Sequence, residues 1–400
     1  MVNTDPKKIE EFLTRGIENI YPSKEFVKKL FLSGKKLKMY LGIDPTGQTL
    51  HLGHAIPLKK LRDFQNLGHK VILLIGDFTA MIGDPTDKLA TRKQLSRKEV
   101  LNNCKNYKKQ AATFLKFGLF GAKLKYNSKW LAKLSFKELI ELASNITYAQ
   151  TVKRSMFQER LKNDKDIYLN EFMYPLMQGY DSVMLDVDGE IGGNDQTFNM
   201  LVGRDLMKKL KNKEKFVITT KLLTDNSGVK MGKTEGNMVA LSDIPEEMFG
   251  KVMSWTDEMI LLGFELCTDI SAEDLEKFKK EMERGANPRD IKLILAKEII
   301  KIYHGTDMAE KAEANFIKTF KKGGLPENLE EIKSENGKLL SEVLVGGKII
   351  VSKSEFRRLV SEGAISDAVS NEKITDPNCK IEKGIILKIG KKRFVKIAVS

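Results

Sequence analysis

The chain has 400 residues, 41% of them hydrophobic and 30% charged, a composition that excludes wholesale disorder, collagen and a continuous coiled coil and allows roughly two to four compact units. Its 68 Lys and Arg outnumber 54 Asp and Glu for a formal charge of +14, which favours a polyanionic partner, while Cys104, Cys267 and Cys379 make no C-x-x-C pair and argue against a zinc site or a disulfide framework. No apolar run approaches the ~20 residues that span a bilayer and the opening of the chain is polar and charged, so a cytoplasmic protein without a membrane partner is expected.

Residues 1–36 read as an N-terminal helical segment. From 37 to 225, short apolar runs at 37–43, 71–75, 124–126 and 216–220 alternate with helical patterns. Two of those helices open with an S-x-x-E capping box, Ser96 with Glu99 and Ser135 with Glu138. Continuous apolar strands spaced by helices predict an α/β fold, a Rossmann-like parallel sheet covered on both faces. Over 245–320 the strands vanish and helical periodicity takes over, as at Ile291, Ile294, Leu295, Ile299 and Ile302 behind the Asn287-Pro288 start. A Gly-Gly-Leu-Pro break marks a linker at 326–337, and 338–400 reads as a small α+β domain. The last 65 residues carry 13 Lys and Arg against 7 Asp and Glu, a balance of 13 − 7 = +6.

Two segments carry chemistry. The first runs from Tyr40 through Gly42, Asp44, Pro45 and Thr46 to His51, Gly53 and His54, leaving a strand and entering a helix. In a parallel sheet that is where nucleotides and phosphates bind. His51 and His54 are three apart and project from one face of the first helical turn, and Gly42 and Gly53 allow a flat base to approach the backbone. The second segment is Lys230-Met231-Gly232-Lys233-Thr234, a glycine-flanked loop before the strand-like 238–241. Two lysines on such a loop can bring charge to a polyphosphate in the transition state. Alone, H-x-x-H also describes two exposed polar residues at a helix start, and K-x-x-K more often describes solvated surface; the weight lies in their pairing.

Together these segments resemble the H-I-G-H and K-M-S-K-S signatures of class I aminoacyl-tRNA synthetases, with Leu52, Gly232 and Thr234 as departures. Within that class the chain is similar to tyrosyl-tRNA synthetases of the bacterial type. Tyr40 to Thr46 fit Y-x-G-x-D-P-T. Tyr174, Gln178 and Asp181 fit Y-x-x-x-Q-x-x-D, a spacing that puts all three on one helix face, and residues 192–196 fit G-G-[ST]-D-Q except at Asn194.

The resemblance implies a ligase that activates L-tyrosine with Mg2+ and ATP to tyrosyl-adenylate and diphosphate, then transfers the tyrosyl group to the 3′ end of tRNA(Tyr). It implies that Tyr40 and Asp181 bind the phenol hydroxyl, that Asp84, Tyr174 and Gln178 hold the α-ammonium, and that Gln196 lies beside the carboxylate. ATP would be held by Gly42, Asp44, Gly53, His51, His54, Gly193, Asp195, Lys230, Met231 and Lys233. Catalysis would rest on His51, His54, Lys230, Lys233, Thr46, Lys88 and Arg92, with no tightly bound metal in the protein and no general base, because the attacking carboxylate is already ionised. The resemblance also implies a homodimer through an insertion at about 115–180, an ATP-site loop and anticodon-binding helical domain at 226–325, and RNA binding by the tail through Lys353, Arg357 and Arg358. Lys388, Lys391, Lys392, Arg393 and Lys396 suggest a second basic ribbon there. Leu41 and Asn194 depart from the family pattern, and Pro57 falls inside the helix that His51 opens. Three other readings stay open: a tryptophanyl synthetase, which would not need Tyr40 paired with Asp181; a small nucleotidylyltransferase with its own H-x-x-H; and a non-catalytic RNA-binding protein.

Overall fold

A computed structural model describes residues 1–86, 94–224, 238–321, 329–347, 349–368, 372–390 and 393–399. They divide into two compact units, Met1–Ala309 and Glu310–Ser400. The larger contains strands β1 (Ile17–Tyr21), β2 (Lys38–Ile43), β3 (Lys70–Ile75), β4 (Lys123–Tyr126), β5 (Gly189–Gly193) and β6 (Phe216–Thr220). They form one sheet in the order β1-β6-β5-β2-β3-β4. β2 to β6 are parallel, and β1 closes the edge antiparallel to β6. Successive strand residues face opposite sides. All five residues of β6 are buried, and so are all but the first of β3, so both faces are covered, which is why these strands read as unbroken apolar runs.

The chain lays down β2, β3 and β4 outward on one side, then crosses to β5 and β6 on the other. Loops leaving β2 and β5 therefore diverge, and at such a switch point a parallel sheet opens a crevice at its strand C-termini. Two strands escape the sequence reading. β1 lies in the segment expected to be wholly helical, between helices Pro6–Thr14 and Lys24–Leu32. β5 is Gly-Glu-Ile-Gly-Gly and carries no apolar run; at Gly189 a Cβ would strike the Phe216 ring, so the glycine follows from close packing. Residues 238–241, expected as strand-like, make only a single bridge, His51 to Ala240.

Helices Pro245–Met253, Met259–Cys267, Ala272–Glu283 and Pro288–His304 follow. Asn287 caps the last of them, accepting the Arg289 N–H with Pro288 in the first turn. Ile291, Leu295 and Ile299 are buried, whereas Ile294 is 38% exposed. Basic side chains bind this group to the helix Leu52–Asn66. Lys59 donates to the Thr268 carbonyl beyond the Met259–Cys267 helix, and Arg62 grips Asp269 at 2.8 Å. Among the described residues no helix is long and apolar enough to cross a membrane.

The smaller unit contains β7 (Glu330–Ser334), β8 (Ile365–Asp367), β9 (Ile385–Ile389) and β10 (Arg393–Val399), in the order β7-β10-β9-β8, with helices Leu340–Gly346 and Lys353–Ser361. Leu344, Phe356, Leu387, Val395 and Ile397 form its core. β7 pairs parallel with β10 from inside the segment expected to be a linker, so 330–334 belong to the sheet. Its Glu-Glu-Ile-Lys-Ser sequence offers one apolar residue, too little for a pattern.

Candidate active site

Where β2 and β5 diverge, the strand ends enclose a cavity of about 450 Å³. One part of its wall is His51 and His54. His51 is the N-cap of the Leu52–Asn66 helix rather than a residue of its first turn: its Nδ1 accepts the Gly53 N–H at 3.1 Å, and Nδ1 of His54 accepts the His51 N–H at 3.3 Å. The two rings stand 3.9 Å apart. An imidazole that accepts at Nδ1 carries its proton at Nε2, so the backbone sets both Nε2 atoms as donors. Burial, and next the neighbouring His51, hold the His54 pKa well below 6.5, which keeps that ring neutral. Pro57, buried and on the same wall, cannot supply the N–H that would bond the Gly53 carbonyl one turn earlier.

The buried end of the cavity is a polar network on apolar support. Tyr40, fully buried on β2, has its hydroxyl 3.0 Å from Ser182 Oγ and 3.4 Å from the Gln178 backbone carbonyl. Asp181 is 3% exposed; its carboxylate accepts Trp130 Nε1–H at 2.7 Å and Asn127 Nδ2–H at 3.2 Å. Burial holds the Asp181 carboxyl well above its usual range, and those two donors offset only part of that rise. Burial also raises the Tyr40 and Tyr174 hydroxyls, so both stay protonated. Tyr174 donates to Asp44 at 2.9 Å, and Thr79 donates to the other oxygen of Asp44 at 2.7 Å. Asp84 accepts the Thr86 hydroxyl and Gln196 Nε2, each at 2.7 Å.

Tyr40, Gly42, Asp44, Thr46, His51, Gly53, His54, Asp84, Tyr174, Gln178, Asp181, Gly193, Asp195 and Gln196 all line this one cavity. Lys88, Arg92, Lys230, Met231 and Lys233 lie outside the described residues, but the chain on either side of them is placed. Thr86 and Leu95 are both on the cavity wall, as are Leu222 and Leu223. Beyond the second gap, the Leu52 N–H bonds the Val239 carbonyl at 3.1 Å and the Leu241 N–H bonds that of Leu50 at 2.8 Å. Leu41 lines the cavity, and Asn194 does not; its side chain accepts from Asn19 at 3.0 Å and Thr219 at 3.1 Å, tying β5 to β1 and β6. In the smaller unit, Lys353 and Arg358 form exposed pairs with Glu342 and Glu362, and Arg357 is exposed. Lys391 and Lys392 lie outside the described residues. The sequence reading missed Thr79, Asn127, Trp130, Ser182, Glu190 and Lys215, none of which sits in a recognisable spacing; Glu190 and Ser182 adjoin motif residues, and that adjacency was the available signal.

A nucleotide-sized cavity at the switch point of a parallel sheet, with a paired-histidine helix start, is the arrangement of a class I synthetase. The family model for class I tRNA synthetases (W and Y) matches residues 32–321, and the chain belongs to that family. A tyrosine-tRNA ligase of Carboxydothermus hydrogenoformans is 45% identical over 405 residues, 98% of each chain, and one of Thermotoga maritima is 40% identical over 397 residues, again 98% of each. Among solved structures, a C-terminally truncated mitochondrial tyrosyl-tRNA synthetase of Aspergillus nidulans superposes with a TM-score of 0.66 at 22% identity, over 79% of this chain and 94% of that one. A tyrosyl-tRNA synthetase from Archaeoglobus fulgidus, complexed with L-tyrosine, gives 0.61 at 24% identity, over 77% and 100%.

Proposed function

We infer that the chain is a tyrosine-tRNA ligase. It joins L-tyrosine to ATP as tyrosyl-adenylate, releasing diphosphate, and transfers the tyrosyl group to the 3′ end of tRNA(Tyr). In the first step the tyrosine carboxylate attacks the α-phosphorus. The new C–O–P link forms as the bond from that phosphorus to the diphosphate oxygen breaks, and diphosphate leaves with the electron pair. In the second, a ribose hydroxyl at the tRNA 3′ end attacks the carbonyl carbon, the ester forms, and AMP leaves as the hydroxyl gives up its proton. Neither step needs a nucleophile from the protein, so catalysis reduces to alignment and charge stabilisation.

The observation that carries this reading is the buried Tyr40 hydroxyl and Asp181 carboxylate in the same cavity as the His51–His54 pair. A phenol can accept from the first and donate to the second. An indole N–H only donates and would leave Tyr40 unmatched; phenylalanine would leave both unmatched, which is costly at a buried site. Strong rejection of phenylalanine on this principle is already a known property of tyrosyl-tRNA synthetases as a class, and its size belongs to that class rather than to the dimensions of this cavity. Asp84, Tyr174 and the Gln178 side-chain oxygen suit an α-ammonium, and Gln196 a carboxylate. ATP, carried as its Mg2+ chelate, fits the glycines of β2 and β5 with Asp195 toward the ribose and the histidine donors on its phosphates. The family resemblance assigns Lys88, Arg92, Lys230 and Lys233 to the same anion site, and Thr86, Leu95, Leu222 and Leu223, described residues near the ends of their segments, line this cavity.

Exposed apolar side chains on the 115–180 insertion, among them Phe136 (79%) and Leu169 (82%), support a homodimer formed there. Between residues 97 and 137 the chain has 11 Lys and Arg against 1 Asp and Glu, a balance of 11 − 1 = +10. All 11 side chains are exposed, and with Lys353, Arg357 and Arg358 of the tail they suit the phosphates of tRNA. The test of the activity is exchange of labelled diphosphate into ATP. Exchange that depends on tyrosine supports the reading; exchange with tryptophan instead keeps the class and overturns the pocket.

A further inference from the structure

Behind the tyrosine end of the cavity lies an ion pair with no part in either chemical step. Lys215, 0% exposed, and Glu190, 2% exposed, bond each other through Lys215 Nζ and Glu190 Oε2. Burying two charges costs several kcal/mol of desolvation each, and apolar residues of similar volume fill such a place equally well for stability. Room has also been made for it: a Cβ on Gly203 would lie 2.7 Å from Lys215 Nζ and 2.8 Å from Ser182 Oγ.

The pair touches both polar ends of the substrate pocket. At one end Glu190 Oε1 accepts Gln178 Nε2–H at 3.2 Å. A carboxylate only accepts, so the Gln178 amide must turn its NH2 to Glu190, and its side-chain oxygen Oε1 has no partner among the described residues. At the other end Lys215 Nζ donates to Ser182 Oγ at 2.9 Å. An ammonium only donates, so the single Ser182 proton must go elsewhere. Tyr40 stands at 3.0 Å and Glu190 Oε2 at 3.4 Å, and the shorter contact is to Tyr40. A Tyr40 oxygen that receives this proton still has its own O–H to give, and the Gln178 backbone carbonyl at 3.4 Å is a poor acceptor for it.

Resting on the tyrosine reading above, we propose that the Lys215–Glu190 pair is a specificity-determining positioning element. Through Ser182 it fixes Tyr40 as a donor to the phenol oxygen, and through Glu190 it fixes Gln178 as an acceptor for the α-ammonium. The phenol proton then goes to Asp181, the remaining acceptor. The two arms differ in what they discriminate: the ammonium is common to all amino acids, and the phenol hydroxyl is not.

The test is diphosphate exchange with tyrosine and phenylalanine, first in the unaltered chain, where activity with tyrosine secures the underlying reading by itself. Ser182→Ala keeps the Lys215–Glu190 contact and removes the hydroxyl that joins Lys215 to Tyr40. Its kcat/KM for tyrosine is expected to fall about tenfold, the worth of roughly one hydrogen bond. The value for phenylalanine and the KM for ATP should stay unchanged. Lys215→Met combined with Glu190→Met removes both arms without stranding a charge, and should lower both amino acids through Gln178 and tyrosine by a further factor of about ten. A loosened pocket would weaken tyrosine and phenylalanine alike, so a tyrosine-to-phenylalanine ratio unchanged in Ser182→Ala overturns the proposal even if the double variant does not fold.

Discussion

Asp181 shows how one side chain's surroundings set its task. Its carboxylate is almost wholly removed from water, and both oxygens still receive an N–H, from Trp130 and from Asn127. Burial raises its pKa and these donors lower it, so the ionised form, which on the proposed function accepts the phenol proton, gains population as pH rises through that value. Trp130→Phe deletes one donor and raises the pKa further. The acid limb of kcat/KM for tyrosine is therefore expected to move to higher pH in that variant, with the KM for ATP unaltered. An acid limb at the same pH would separate Trp130 from the carboxylate. At this scale the sequence was legible where residues recur at a fixed spacing: His51 with His54, and Tyr174 with Gln178 and Asp181. Trp130, Ser182 and Lys215 meet the pocket residues Asp181, Tyr40 and Glu190 only through the fold, and no local pattern distinguishes them from a core aromatic, a helical serine and a solvated lysine.

Among elements, the turn between the Leu52–Asn66 helix and β3 is held by His69. Its ring stacks on Phe64 at 4.4 Å and meets Phe31 edge-on at 5.1 Å, and its Nδ1 accepts the Leu37 N–H at 3.3 Å. Burial, then the Lys36 charge, push its pKa down to about 4 against Asp188. An unfolded histidine titrates near 6.5. Between these values the unfolded chain takes a proton that the folded chain refuses. Stability is therefore full above about pH 6.5 and falls as pH drops toward about 4, by on the order of 3 kcal/mol across the window. Urea unfolding read by tryptophan fluorescence suits the measurement, since Trp130 and Trp255 both lie in the larger unit. His69→Asn should flatten the slope; equal slopes would show that another group titrates. Elements fixed by local chemistry were legible, as the capping boxes at Ser96 and Ser135 show, both formed with their glutamates three residues on. β1, β5 and β7 were not. All three are short, β5 is glycine-rich and β7 is charged, and they are strands because neighbouring strands pair with them.

For the whole molecule, the parallel-sheet unit, the helices after it and the small α+β unit follow the order expected from texture alone, while the boundary near the tail moves. Because β7 pairs with β10, a cut after Gly337 would strand part of the small sheet. Removal of 322–400 respects it. That truncation is expected to leave tyrosine-dependent exchange near the level of the full chain and to raise the KM for tRNA, most visibly at low salt, where phosphate contacts contribute most to binding. Charging that is unaffected at all salt concentrations would remove the tail from tRNA binding. The lysine-rich 97–137 stretch escapes a pattern reading because its charges are scattered among several short elements. On the proposed function, the buried end of the cavity selects tyrosine by its hydroxyl. The most direct measurement of that selection is diphosphate exchange with tyrosine, tryptophan and phenylalanine by the unaltered chain and by Tyr40→Phe. Exchange with tyrosine in the first, and a tyrosine preference over phenylalanine that shrinks by about tenfold or more in the second, is the expected result. An undiminished preference in Tyr40→Phe, or exchange driven by tryptophan, would contradict it.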